Sequence, residues 1–200
     1  MSTFSDDLAK ESILSEFLDK KYAEIGLVTE RVTDKELQKL GVDFLLKKDG
    51  IEKRVDEKAQ LSYINRSLPT FALEIDYFIG EDKKLGWLFD ADKYTDIYAF
   101  VFGVMVNNKE GTLQKVADIV SCEVVLVRRI SLLNELSAAG FTLLSCKEKS
   151  DELRAGTDTK LLVSADFNFH ISRHLSEKPV NLIVRKAFLE DIGKKFILKA

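Results

Sequence analysis

Two hundred residues, 46% of them hydrophobic, suffice for one domain with a buried core. Charged residues make up 32% but sum to a formal net charge of -3, which excludes the compositions of disordered chains and gives no global attraction for nucleic acid, so any polyanion-binding surface must be local. Two cysteines and two histidines exclude a disulfide framework and a zinc cluster. The polar start MSTFSDDLAKES and the lack of an apolar run near ~20 residues predict a reduced, cytoplasmic protein without a membrane span.

In chain order, Leu8, Ile13, Leu14, Phe17, Leu18 and Tyr22 recur at helical spacing, which predicts an amphipathic helix over residues 6–24, with Ser5 as its cap. A shorter helix is expected over 33–40, capped by Thr33 with Glu36 closing a capping box and Gly41 past its end. The period then changes. Residues 42–46 form a β-prone run, 47–50 a turn, and 51–61 a second strand that puts Val55 and Ala59 on the face opposite Asp56 and Lys58. A third strand is expected over 71–79, and the apolar run 97–106 reads as a central buried strand. Beyond it lie a strand at 123–127, a helix at 131–139 ending at Gly140, strands at 161–165 and 180–185, and a closing helix at 187–195. His170 sits in FNFHISRH, an alternating stretch, and neither it nor His174 is placed to ligate a metal. The expectation is a single α/β domain over 1–200, with a core at about 6–106, an α/β extension at about 107–200, and one mixed sheet of about five or six strands with helices on both faces.

The segment GVDFLLKKDGIEKRVDEKAQ, residues 41–60, carries the chemistry. If its strands pair as a hairpin, Asp43 reaches Asp56 across the ladder, and Lys58 shares the face of Asp56 while Glu57 points away. Two hard oxygen donors suit Mg²⁺ or Mn²⁺, and an adjacent lysine can orient a water or stabilise developing charge. Asp and Lys alternating on a solvated strand would look the same in isolation.

This segment resembles the PD-(D/E)XK nuclease superfamily, whose signature is an Asp on one strand and (D/E)-x-K on the next, in a hairpin preceded by a helix. Asp43, Asp56 and Lys58 match it; Val42 stands where the motif's name has proline. The resemblance extends to a phage and prophage branch through Arg31, Asp34 and Gln38, then Gly41 and Asp43, then Asp56, Lys58 and Ala59, then Thr70, Phe71 and Glu74, then Gly86 and Trp87, then Thr95, Asp96 and Tyr98, with KPVNLIVRK at 178–186 also similar. It implies a three-layer α/β/α, restriction-endonuclease-like fold with a central mixed sheet and Mg²⁺-dependent hydrolysis of phosphodiesters in nucleic acid, with DNA the expected partner and a homodimer possible as in other nucleases of this sort. Asp43, Asp56 and the carbonyl of Glu57 would hold the metal, and Lys58 would sit by the attacking water.

Around that core, Glu74 is a further catalytic candidate, or an exposed strand residue. Arg31 and Gln38 are candidates for a patch beside the site, and Glu16 for a remote acid. Lys47, Lys48, Lys53 and Arg54 are candidate phosphate contacts, and Trp87 a stacking platform; a charged hairpin tip and a packed Trp are the plainer alternatives. A nuclease-like module that binds nucleic acid or protein without cutting remains the second functional expectation.

Overall fold

The computed structural model describes residues 4–200, with side chains from Leu8 onward, so the side-chain cap expected of Ser5 lies outside what is described. In chain order the elements are α1 (Phe4–Glu24), β1 (Val28–Arg31), α2 (Lys35–Lys39), β2 (Phe44–Lys48), β3 (Ile51–Ala59), β4 (Thr70–Ile79), β5 (Asp82–Leu85), β6 (Ile97–Val106), β7 (Ile119–Arg128), α3 (Arg129–Ala138), α4 (Leu143–Ala155), β8 (Lys160–Leu162), β9 (Phe167–Ile171), β10 (Val180–Arg185), α5 (Lys186–Ile192) and β11 (Lys194–Lys199). The fold is mixed α/β. Its residues group into two compact units interleaved in sequence: Met1–Leu68, Tyr94–Arg129 and Gly193–Ala200 in the first, Pro69–Lys93 and Ile130–Ile192 in the second.

The first unit carries a mixed sheet in the order β1-β2-β3-β6-β7-β11. Asp49 and Gly50 both have positive φ (51° and 74°), the geometry of a tight two-residue hairpin that keeps the twist of its flanking strands, and they join β2 to β3 in antiparallel register from Phe44↔Val55 to Lys48↔Ile51. β3 then runs parallel to β6, from Val55↔Ile97 to Ala59↔Val101. β6 is the central strand anticipated from its composition: it has neighbours on both edges, and Tyr98 through Phe102 are all buried. α1 lays Leu14, Phe17, Leu18 and Tyr22 into one core with Phe44, Val55, Ala99 and Val101. Each such side chain contributes roughly 1.5–3 kcal/mol by leaving water, and truncating Phe17 to Ala would cost about 3–5 kcal/mol.

The second unit carries an antiparallel sheet in the order β5-β4-β10-β9-β8. β4 alternates as a half-buried strand should, burying Phe71, Leu73 and Ile75. The single sheet expected from the sequence is therefore corrected to two among the described residues, because the strand at 70–79 pairs with β10, a hundred residues downstream, and not with the hairpin that precedes it.

Local corrections follow from capping and turns. α2 is capped by Asp34, whose carboxylate accepts from the backbone N–H groups of Glu36 and Leu37, and not by Thr33. The closing helix stops at Ile192, and after Gly193 the chain becomes β11. The strand anticipated at 161–165 is Lys160–Leu162. No helix among the described residues is long and apolar enough to cross a membrane.

Candidate functional site

β3 is longer than the strand it pairs with, and the site forms where that partner runs out. The last β2–β3 pair is Phe44↔Val55, and just outside it the Asp43 N–H donates to the Val55 carbonyl at 2.8 Å. Past Val55, the edge of β3 facing β2 would present the Glu57 N–H with no carbonyl to meet it. The Asp43 side chain takes that place: its Oδ2 accepts from the Glu57 N–H at 2.6 Å. A carboxylate thereby completes the ladder and is pinned beside β3 by a charge-assisted bond.

Alternation along β3 then sorts the neighbouring charges, as the sequence predicts. Val55 and Ala59 face the α1 core. Asp56 and Lys58 share the other face, with Lys58 Nζ 2.7 Å from Asp56 Oδ1. Asp56 is only 2% exposed, and its Oδ2 has no hydrogen-bond donor on it among the described residues. The Asp43 carboxylate adjoins it. Burial raises the Asp56 pKa to about 6, and the like charge of Asp43 adds to this against the opposing pull of Lys58.

Glu57 projects to the α1 side. Its carboxylate takes a bond from Arg31 at 3.2 Å and one from the Ser15 hydroxyl at 3.4 Å, yet burial still pushes its pKa to about 7. Arg31 continues to Asp19 at 2.8 Å and to the Ser15 carbonyl at 3.3 Å, so it ties α1 and β1 to β3. Asp56 and Glu57, adjacent on β3, thus both have raised pKa values but project to opposite faces of the strand. The cleft, of about 520 Å³, is lined by Asp43, Glu57 and Lys58 and by Glu11, Ser12 and Ser15 of α1.

The donor set fits a hard divalent cation: two adjoining carboxylates, one of them with a buried oxygen that accepts nothing. No group of three or more His, Cys, Asp or Glu among the described residues is placed to hold a metal, so a Mg²⁺ held by Asp43 and Asp56 would complete its shell with backbone, water or substrate oxygens, as Mg²⁺ commonly does.

The other expected residues divide clearly. Gln38 lines the same cleft and donates to the Val32 carbonyl at 2.8 Å. Arg54 makes a two-pronged pair with Asp96, at 2.9 and 3.0 Å, and stacks on Tyr94, while Lys47 pairs with Glu30 and Glu52. Lys48 and Lys53 are exposed on that hairpin. Thr95 donates to the Gly41 carbonyl at 2.8 Å. Glu16 is exposed and paired with Lys20 at 2.7 Å.

Glu74 and Trp87 belong to the second unit and are not among the residues the first unit gathers. Their motif has a packing reason: a Cβ on Gly86 would lie 2.4 Å from the Glu74 carbonyl oxygen, and Leu88 N–H bonds that oxygen. Sequence reasoning missed Glu11, Ser12 and Ser15. Together with Leu8 they lie at three- and four-residue spacing on α1, one stripe facing the cleft, and that spacing was the available signal. No family model, no curated protein and no solved structure matches this chain.

Proposed function

We propose that the chain is a metal-dependent nuclease that hydrolyses phosphodiester bonds of nucleic acid, with Asp43, Asp56 and Lys58 at its centre. The observation that carries this reading is the buried Asp56 Oδ2, which has no donor on it, beside the Asp43 carboxylate, with Lys58 on the other oxygen of Asp56. Asp76 also has an Oδ2 without a hydrogen bond, but two cations face that one carboxylate, whereas Asp43 and Asp56 adjoin with a single lysine on Asp56; the excess of negative charge is what favours a cation here.

Mg²⁺ or Mn²⁺, when bound, lowers the pKa of a water and neutralises charge on a phosphoryl oxygen. Asp43 and Asp56 would hold the cation, and the Glu57 N–H bond fixes where Asp43 points. With a cation held by Asp43 and Asp56, the Lys58 ammonium would be less strongly held on Oδ1. It lies 28% exposed at the cleft and can turn to position the attacking water or meet the charge that develops on the phosphate. α1, the β1–β2–β3 antiparallel run, the acid before β2 and the acid-x-Lys on β3 together support a restriction-endonuclease-like architecture for the first unit, of the phage and prophage kind. A DNA substrate, a dimer and a cytoplasmic setting are part of the same proposal.

The test is digestion of mixed single-stranded DNA, duplex DNA and RNA with Mg²⁺ or Mn²⁺. Wild type is expected to cut at least one substrate. EDTA and Lys58→Ala should each reduce cutting by about 10²-fold or more, with thermal melting of Lys58→Ala unchanged. Cutting that survives Lys58→Ala would refute the assignment. Cation binding without cutting of any nucleic acid would favour a non-catalytic binding module.

A further inference from the structure

The segment that carries Asp56 and Lys58 does not end at the cleft. It passes through Gln60 into a short 3-10 turn, Leu61–Tyr63, and then to Arg66. Leu61 lines two clefts at once: the carboxylate cleft, and a second of about 540 Å³ walled by Lys10 of α1, by Tyr63 and Arg66, and by Gly111 and Leu113. The two clefts therefore adjoin across one side chain within the first unit.

The second cleft has a held floor. Gln60 N–H bonds the Val101 carbonyl at 3.3 Å, Asn65 N–H bonds that of Val104 at 3.0 Å, and the Asn65 side chain accepts from Val106 N–H at 2.8 Å. Asn65 takes a left-handed conformation (φ 60°) to make these bonds, so the turn is stapled to the central strand β6. Across the cleft, Asn108 and Thr112 exchange two bonds that close the loop bearing Gly111. On this fixed turn Tyr63 is 44% exposed, an aromatic face open to solvent, with the Arg66 guanidinium three residues on. Lys47 and Arg54 of the hairpin are tied to acids, whereas Tyr63 and Arg66 are both exposed at the second cleft.

We infer that this second cleft binds the flank of a single-stranded nucleic acid whose neighbouring phosphodiester lies at Asp43 and Asp56. A base stacks on Tyr63, and backbone phosphates meet Lys10 and Arg66. The orientation of the strand rests on the nuclease reading; the binding itself does not. An aromatic platform with cations at its sides suits an unpaired base, because a duplex keeps its base faces covered.

Anisotropy of labelled oligothymidylate and oligouridylate in EDTA tests binding apart from cutting, and the two probes separate DNA from RNA. Wild type should bind at least one of them. Tyr63→Ala should weaken binding about tenfold, and Tyr63→Phe, which keeps the ring, should bind as wild type does. Arg66→Ala should weaken it severalfold and reduce the salt slope by about 0.7. Unchanged melting of these exposed-site variants would show that folding is intact. No binding by wild type, equal binding by wild type and Tyr63→Ala, or stronger competition by duplex than by single strand would each overturn the inference. Binding that depends on Tyr63 without any cutting would leave the inference standing and defeat the nuclease reading; cutting with Tyr63-independent binding would do the reverse.

Discussion

Asp56 in the first unit and Asp76 in the second are each no more than 2% exposed, and the two are treated in opposite ways. Asp76, on β4 of the second unit, is 1% exposed. Arg154 of α4 bonds its Oδ1, Lys83 of β5 lies 3.2 Å from its Oδ2, and Arg154 also stacks on Phe78. Lys83 reaches on to Asp151 at 2.6 Å. One carboxylate thus ties a helix and an edge strand to the sheet: two cations answer its charge, although its Oδ2 has an ion pair and no hydrogen bond among the described residues. Asp56, on β3 of the first unit, shares the bare Oδ2 but has a single lysine and a second carboxylate beside it. Burial is the same, but the charge balance is not. An aspartate whose charge is met by the protein holds the fold together. One whose charge is left unmet is an invitation to a ligand, at a cost to stability.

That contrast fails or sharpens under substitution. The largest effect is expected at Asp76→Ala, which leaves Arg154 and Lys83 without their shared anion and should cost about 3–5 kcal/mol, read by denaturant unfolding. Cys146 lies in the second unit and Cys122 in the first; both are buried, and burial pushes each thiol pKa to about 12, so each reacts only when its own surroundings open. Asp76→Ala should speed alkylation of Cys146 more than that of Cys122. Equal acceleration would mean that the units do not open separately.

Next in size, Gly86→Ala forces a methyl against the Glu74 backbone and should cost about 1–3 kcal/mol, again with Cys146 as the reporter. A melting curve identical to wild type would show that the strand can yield there.

A smaller effect of opposite sign is expected at Asp56→Asn. The folded pKa of Asp56 is raised to about 6 and that of Glu57 to about 7, so the stability each contributes is complete below its unfolded value near 4 and is lost as pH rises through about 6 and about 7. In EDTA, wild type should therefore lose stability between about pH 4 and pH 7. Asp56→Asn should flatten part of that fall and match or exceed wild type above pH 7, since Lys58 can turn to water. A loss as large as that of Asp76→Ala would erase the distinction between the two aspartates.

β3 of the first unit is legible because its signals are local: Asp49-Gly50 fixes the hairpin, and strand alternation alone separates Asp56 and Lys58 from Val55 and Ala59. β6 was legible because a strand covered on both faces is apolar throughout. What escaped depends on partners far away in sequence. Nothing in residues 70–79 says that they pair with 180–185, so the second sheet is not legible. Arg31 lines the cleft, but its ties are not legible, because a sequence cannot show that Asp19 and Glu57 converge on it. α4 has a weak apolar stripe, yet its Thr142–Ser145 capping box was a readable start, and Gly193 marked the end of α5.

Mn²⁺ titrated into the protein by calorimetry tests the claim about Asp56 most directly. The account predicts a single binding event in wild type, its loss in Asp43→Asn and Asp56→Asn, and its survival in Lys58→Ala, which leaves both carboxylates in place. Equal binding by wild type and Asp56→Asn, with both proteins folded, would contradict it.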